Sequence, residues 1–307
     1  MNVLVTGSSG FVGRNLTERL LEKGYKVYGF DRLLMRGFRV RNHRNFNQRK
    51  VDLHSFSSVL RACRTIQNVK YVFHTVAIQP SGIDMEISEY LDTNLIGAVN
   101  LLKACKICGF NNIIVSSSFS VYGKPEYLPV DEKHPTMPAN IYGLTKLQAD
   151  LLFEFYSRKM DFNVVILRYD GIYGVGQTIP GFIQYLIGVF SKEEDVELFN
   201  YGKQIRDNVF VDDVVQANLK AMKIIGKKKF SIFNIGGAEP KSSAETAQII
   251  KKALGSKSRV VLSKKKNLLM GYDVFMDNSK ARKLLGYKTK GLRQNVIKML
   301  REVKKNA

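Results

Sequence analysis

A chain of 307 residues that is 45% hydrophobic and has no low-complexity tract excludes a disordered, fibrous or stapled mini-protein and leaves room for one or two domains with a large core. Its 48 Lys and Arg against 27 Asp and Glu give a net charge of +21, which favours acidic ligands such as nucleotides and also draws in nucleic acid or anionic surfaces without choosing among them. No run reaches the ~18 consecutive apolar residues of a membrane span.

In chain order, the start Met1-Asn2-Val3-Leu4-Val5 resembles a strand rather than a secretory signal. Strands are expected at Asn2–Thr6, Lys26–Asp31, Tyr71–His74, Asn112–Ser117 and Asn163–Arg168. Between them Phe11–Gly24, Glu86–Gly109 and Asn140–Asp161 carry apolar residues at helical spacing. This alternation is the signature of βαβ units, so the expected fold is α/β, a doubly wound parallel sheet. After Arg168 the rhythm breaks at Gly171, Gly174, Gly176, Pro180 and Gly181, a helix follows at Phe182–Phe190, and an apolar strand returns at Phe230–Ile235. The expected division is a dinucleotide-binding domain over 1–169 and 209–237, with a smaller, discontinuous α/β lobe over 170–208 and 238–307.

Three cysteines make no disulfide framework, and the expected location is cytoplasmic. Cys105 and Cys108 form a C-x-x-C near the end of an apolar helical pattern, with no second ligand pair, so they are read as core and no metal is expected. The basic clusters Arg32–Lys50, with seven cations and no acid, Lys227–Lys229 and Lys264–Lys266 are read as solvated loops or helix ends. No aromatics interleave them as a single-stranded nucleic-acid groove requires, and nucleic acid is not the expected partner.

The chemistry begins at Thr6-Gly7-Ser8-Ser9-Gly10-Phe11-Val12-Gly13. Glycines in this spacing, between a strand and a helix, let backbone approach a pyrophosphate at the positive end of the helix dipole. Asp31 closes the next strand at the distance of a ribose-binding acid, which favours NAD; Arg32 and Arg36 beside it keep NADP as the alternative. A plain turn residue is the other role open to Asp31. Asp52-Leu53 is an adenine contact or, equally, a helix N-cap.

Tyr142 and Lys146 stand at i and i+4 on one helix face. A phenol with an ordinary pKa near ~10 is a poor base at neutral pH, but an ammonium and a cationic nicotinamide both favour the phenolate. Upstream, Ser116-Ser117-Ser118 ends an apolar strand at the sheet edge where ligands bind in such folds. Ser118 is placed to hold a substrate hydroxyl and relay its proton, while Tyr122 is read as packing.

These segments together, with Val72-Phe73-His74-Thr75-Val76-Ala77, Thr93-Asn94, Val121-Tyr122-Gly123, Leu167-Arg168 and Ile205 to Asp213, resemble the extended short-chain dehydrogenase/reductases of the NAD-dependent epimerase/dehydratase family over nearly the whole chain. The resemblance implies Ser118, Tyr142 and Lys146 as catalytic residues. It implies cofactor contacts at Gly7, Ser9, Gly10, Phe11, Val12, Gly13, Asp31, Arg32, Asp52, Leu53, Val76, Ala77, Asn94, Ser116, Tyr142, Lys146 and Tyr169, and substrate contacts at Ser118, Tyr142, Gly171 and Arg206. Arg206 would grip the diphosphate of a nucleotide sugar; a surface ion pair to Asp207 or Asp212 is its other role. Asn234 and Gly236 match a strand-end motif whose role is structural.

Relatives that dehydrate carry Asp-Glu where this chain has Phe119-Ser120, and decarboxylating relatives carry Glu at the position of Ser120, so neither reaction is expected. The family usually has an Asn contacting substrate just after Leu167-Arg168-Tyr169, where this chain reads Asp170-Gly171. The expected function is an NAD-dependent 4-epimerase of a UDP-linked hexose, working as a homodimer through a four-helix interface. The alternatives are an NAD(P)H-dependent 4-keto-sugar reductase and a non-catalytic relative that binds RNA or a regulatory partner.

Overall fold

The computed structural model describes residues 1–34, 40, 42–79, 86–265 and 272–306. Arg36 and Lys266 lie outside the described residues.

Seven strands form the main sheet: β1 (Asn2–Thr6), β2 (Lys26–Asp31), β3 (Phe46–Lys50), β4 (Val69–His74), β5 (Asn112–Ser118), β6 (Asn163–Tyr169) and a late strand at Phe230–Ile235. Their order is β3-β2-β1-β4-β5-β6 followed by Phe230–Ile235, so the winding reverses between β1 and β4. Pairing is parallel at β3/β2, β2/β1, β1/β4 and β4/β5, with Val5 opposite Gly29 on one side and Phe73 on the other. Both faces are covered, which is why β1, β2 and β4 read as nearly continuous apolar runs. β3 has the sequence Phe-Asn-Gln-Arg-Lys and lacks that run; among the described residues it pairs with β2 alone, at the sheet edge.

The chain divides into two compact units, the first made of Met1–Gly123, Pro135–Arg168 and Val215–Phe233. It contains α1 (Phe11–Glu22), α2 (Phe56–Arg64), a short helix α3 (Ile87–Tyr90), a π-helical turn at Leu91–Ile96, α4 (Gly97–Cys108) and α5 (Ile141–Lys159). The segment expected as one helix over 86–109 is thus interrupted. In the π turn Asn94 ties the backbone of Ile78 at 2.9 and 3.3 Å and the Thr145 hydroxyl at 3.1 Å, and Thr93 meets His54 at 2.9 Å. Extra residues in a helical turn commonly mark such a side-chain requirement. The α2 N-cap is Ser55, whose hydroxyl accepts from Ser58 N–H at 3.3 Å; Asp52 instead closes a turn onto His54 N–H at 3.0 Å. The core beneath runs through Leu4, Phe30, Val59, Val72, Leu101, Ile113, Phe153 and Ile166.

The second unit comprises Lys124–His134, Tyr169–Val214 and Asn234–Ala307. It holds α6 (Phe182–Ser191), β7 (Val196–Leu198), β8 (Ile205–Arg206), and, after α7 (Val211–Ala221) and β9 (Phe230–Ile235), β10 (Lys241–Ser242), α8 (Ser243–Leu254), β11 (Val260–Leu262), α9 (Ser279–Leu285) and α10 (Leu292–Asn306). β7 pairs with β11 and β8 with β10, two small sheets beside the α6, α8 and α10 helices. A capping box at Ser242 and Glu245 starts α8.

Candidate active site

The strand-to-helix turn after β1 lies at the reversal point of the sheet, where open α/β folds bind ligands. Gly7 sits at φ +74, and a Cβ there would come within 2.9 Å of the Val76 amide nitrogen; a Cβ on Gly13 would overlap the Gly7 carbonyl. No side chain caps α1 and no acid occupies its first turn, which leaves the dipole end open to an anion. The Asp31 carboxylate accepts from Ser9 N–H at 2.9 Å and Leu33 N–H at 3.0 Å, so it reaches across to the glycine turn while keeping lone pairs for further donors. The Ser9 hydroxyl donates to the Leu33 carbonyl at 2.6 Å. This set fits a dinucleotide: glycines for the pyrophosphate, an acid for a ribose diol.

The other expected cofactor residues separate into two groups. Phe11 and Val12 open α1, Arg32 is exposed beside Asp31, and Val76 and Ala77 follow β4. Leu53, Asn94 and Tyr169 are buried, and Asn94 spends its amide on Ile78 and Thr145, an anchoring role for the backbone after β4. At the head of that loop the buried His74 meets the Thr6 hydroxyl at 2.8 Å, and burial holds its pKa down at about 3, so it is neutral.

Ser118, Tyr142 and Lys146 come together at the end of β5 and the start of α5. Asn140 caps α5 through Gly143 N–H at 2.8 Å, and a Cβ on Gly143 would overlap the Ser120 carbonyl, so this glycine lets the helix approach the turn after β5. Gly143 is a residue that spacing does not reveal. The Ser118 hydroxyl hydrogen-bonds Tyr142 and lies 3.2 Å from Ser120 Oγ. Lys146, 3% exposed, donates to the Ser116 carbonyl at 2.6 Å. Its burial lowers its pKa to about 8, against the opposing pull of Asp150.

Burial raises the Tyr142 phenol to about 12; the hydrogen bond from Ser118 lowers it, and Asp150 and Tyr90 raise it further. Desolvation is the largest of these effects, and the ammonium one turn away directs its proton to Ser116 instead.

Within the second unit, Arg206 donates from Nη1 to the carbonyls of Ile205 at 2.8 Å and Tyr272 at 2.7 Å, with Asp170 the carboxylate that acts on it most. Asp207 accepts from Gly237 N–H at 2.8 Å and Asp212 pairs with Lys298. Gly171 has φ +44, and the Asn208 carboxamide oxygen lies 2.6 Å from where its Cβ would be. Asn208 thus fills the side-chain space that Gly171 leaves, a residue that sequence reasoning missed. Asp170 has a buried Oδ2 without a partner, and burial together with Asp207 raises it to about 7. Asn234 donates to the Val130 carbonyl at 2.9 Å, a structural link.

Among the described residues no group of His, Cys, Asp and Glu is arranged to hold a metal, and no helix is long and apolar enough to cross a membrane.

Residues 3–236 match the model of the NAD dependent epimerase/dehydratase family. A Methanocaldococcus jannaschii protein described provisionally as a UDP-glucose 4-epimerase is 31% identical over 99% of both chains. The UDP-glucose 4-epimerase of Thermotoga maritima, solved with UDP-glucose, superposes with a TM-score of 0.87 at 27% identity and 99% coverage of each chain. The UDP-glucuronic acid 4-epimerase of Bacillus cereus, solved with UDP-glucuronic acid and NAD, gives 0.84 at 26% identity over the whole of both chains. With the glycine turn, Asp31 and the Ser-Tyr-Lys set in one unit, the chain belongs to the NAD dependent epimerase/dehydratase family.

Proposed function

We propose that the chain is an NAD-dependent nucleotide-sugar 4-epimerase that interconverts UDP-hexoses through a transient 4-keto sugar. The observation that carries this is the buried phenol of Tyr142 hydrogen-bonded to Ser118, with Lys146 one turn along α5. Similarity to epimerases solved with UDP-glucose and UDP-glucuronic acid supports the substrate class.

Bound NAD supplies the acceptor, and then the donor, of the hydride at C4. The turn Gly7 to Gly13 would hold its pyrophosphate and Asp31 its adenosine ribose, with Lys146 at the nicotinamide ribose. Tyr142 takes the proton of the C4 hydroxyl, directly or through Ser118, and returns it after the sugar has turned over. Lys146 keeps a positive charge beside the phenol. Arg206 binds the diphosphate, since a guanidinium fork matches phosphate oxygens. Ser120, where an acid would be needed to move protons at C5 and C6, instead donates its backbone N–H to Ser118 at 3.1 Å, which suits epimerisation rather than dehydration.

We propose a homodimer through α4 and α5, a reading supported by exposed apolar side chains in the first unit: Ile96 just before α4, Ile107, Leu144, Leu151 and Phe155 are 41–56% exposed. Leu151→Glu with Phe155→Glu is expected to shift the sedimentation mass from two chains to one, and an unchanged mass would exclude this interface. We place the enzyme in the cytoplasm, where its three free thiols stay reduced.

The experiment for the reaction uses UDP-hexose deuterated at C4. The epimer is expected to keep its deuterium at C4 with no net change in NADH, because the same hydride returns to the same carbon. Stoichiometric consumption of NAD(P)H on a 4-keto nucleotide sugar, without interconversion of epimers, would put the reductase in its place.

A further inference from the structure

Tyr142 and Lys146 are followed at the same four-residue interval by Asp150, so phenol, ammonium and carboxylate occupy one face of α5 in that order. Asp150 is 2% exposed. Its Oδ2 accepts from Arg168 Nε on β6 at 3.0 Å, and Arg168 is itself 4% exposed, with its guanidinium carbon 4.8 Å from the centre of the Tyr122 ring. Arg168 thus holds the buried carboxylate from β6, while Lys146, one turn earlier on α5, acts on it electrostatically and donates its own proton to Ser116.

A buried carboxylate with one cation partner needs no second, and a buried ammonium without an anion tends to give up its proton. Lys146 has one hydrogen-bond acceptor on the strand, the Ser116 carbonyl, which orients it without supplying full charge. We propose that Asp150 is a positioning residue: fixed from behind by Arg168, it keeps the Lys146 ammonium charged and aimed at the Ser116 end of β5, where the proposed epimerisation uses it.

The surroundings leave this role to Asp150. The groups acting on Lys146 and its neighbours are His74 on β4, Tyr142 and Asp150 on α5, and, around Asp150 and Tyr142, Arg168 on β6, Tyr122 after β5 and Tyr90 on α3. Burial raises the Asp150 carboxyl's own pKa, while Arg168, a Ser117 hydrogen bond and Lys146 pull it down; paired to Arg168 at 3.0 Å, it is the anionic group among these, since burial keeps His74 and Tyr142 neutral. Its carboxylate has a second effect in the opposite sense, since it also opposes ionisation of Tyr142. Asp150 thus sets the charge balance of the whole face.

The inference rests on the epimerase reading only for what Lys146 does; the lysine's own titration tests it independently. NAD-free protein labelled with ¹³C at lysine Cε, with Lys146 assigned by loss of its signal in Lys146→Arg, is titrated by NMR. Asp150→Asn is expected to move the Lys146 midpoint down by about one unit or more, a tenfold gain in the ratio of neutral to charged lysine at fixed pH, while Asp150→Glu keeps it near wild type. In the loaded enzyme the alkaline limb of the kcat/KM profile should move by the same amount. Should Asp150→Asn fail to fold, Asp150→Asn with Arg168→Leu removes the ion pair together and leaves no unpaired guanidinium; the same fall is expected, because the Asp150 carboxylate is the group that raises Lys146. A Lys146 midpoint unchanged in folded variants, with only the melting temperature lowered, would reduce Asp150 to a pin between α5 and β6. If the lysine shifts as stated but wild-type protein interconverts no UDP-hexoses, the positioning role stands and the epimerase reading falls.

Discussion

Replacing Tyr142 by Phe deletes one hydroxyl from a side chain that is 8% exposed and leaves its volume and ring in place. The orphaned partner, Ser118, keeps the Ser120 N–H at 3.1 Å and the Ser120 hydroxyl at 3.2 Å, so no buried polar group is stranded. The stability cost is then the net worth of one hydrogen bond, about 1 kcal/mol or less, which in a chain of this size lowers the melting temperature by roughly 2–4 °C at most. The catalytic cost is of another order. A positioned acid–base group contributes about 10²- to 10⁴-fold, or about 3–5 kcal/mol of barrier. Turnover of UDP-galactose is followed by chromatographic separation of the two epimers, NAD content by release on denaturation, and stability by thermal melting. The expected outcome is near-complete loss of turnover with cofactor and melting temperature almost unchanged. Activity within threefold of wild type would remove Tyr142 from the mechanism, and a variant that loses turnover only because it melts far below wild type would make the hydroxyl structural.

Lys146→Ala is expected to lose turnover and, unlike Tyr142→Phe, to weaken NAD binding about tenfold or more, because a charged donor is worth roughly 1.5–3 kcal/mol; NAD titration by calorimetry checks this, and unaltered affinity would refute the ribose contact. In the wild type the Lys146 charge fades as pH rises through about 8, so kcat/KM is expected to fall above that value and hold below it; a flat alkaline profile to pH 10 would contradict the need for the ammonium. Arg206→Ala is expected to raise the dissociation constant for UDP-hexose by about 10- to 100-fold with NAD affinity unchanged; a loss in NAD affinity instead would show the two sites to be wrongly assigned. Asp170, raised to about 7 from 3.8, holds a proton in the folded state that the unfolded chain releases, so its contribution to stability is full below pH 4 and lost as pH climbs to 7. Asp170→Asn is therefore expected to stabilise at pH 8, by at most about 4 kcal/mol, and to change little at pH 4, measured by melting at both; equal effects would show that the carboxylate is not desolvated.

What was legible in the sequence was local. The turn from β1 to α1 is written in eight consecutive residues, and the glycines that permit it are required by contacts with Val76 and with one another. β3 was not legible, because Phe-Asn-Gln-Arg-Lys carries no strand pattern and becomes a strand through its ladder with β2, from Val27 opposite Phe46 to Asp31 opposite Lys50. The interruption of the long helix before α4 was hidden for a similar reason. The apolar spacing around Thr93 and Asn94 is helical, and it is the bonds of those two side chains to His54, Ile78 and Thr145 that go with a wider turn.

At the candidate site the spacing of Tyr142 and Lys146 gave their common face but not their charge state. A lysine at i+4 suggests an activated phenol, yet the structure surrounds that phenol with apolar burial and places Asp150 one turn beyond the lysine, so the positive and negative charges on the face offset each other. Alone, the chain keeps Tyr142 protonated, and burial makes this the stable state. Such a phenol holds a proton firmly, so in the proposed reaction its base strength would depend on a further positive charge beside it, from the cofactor, and not on the lysine alone. Neither half of that balance is local in sequence: the desolvation comes from the packing of α5 on β5, and the restraint on the carboxylate comes from Arg168, eighteen residues along the chain, on another strand.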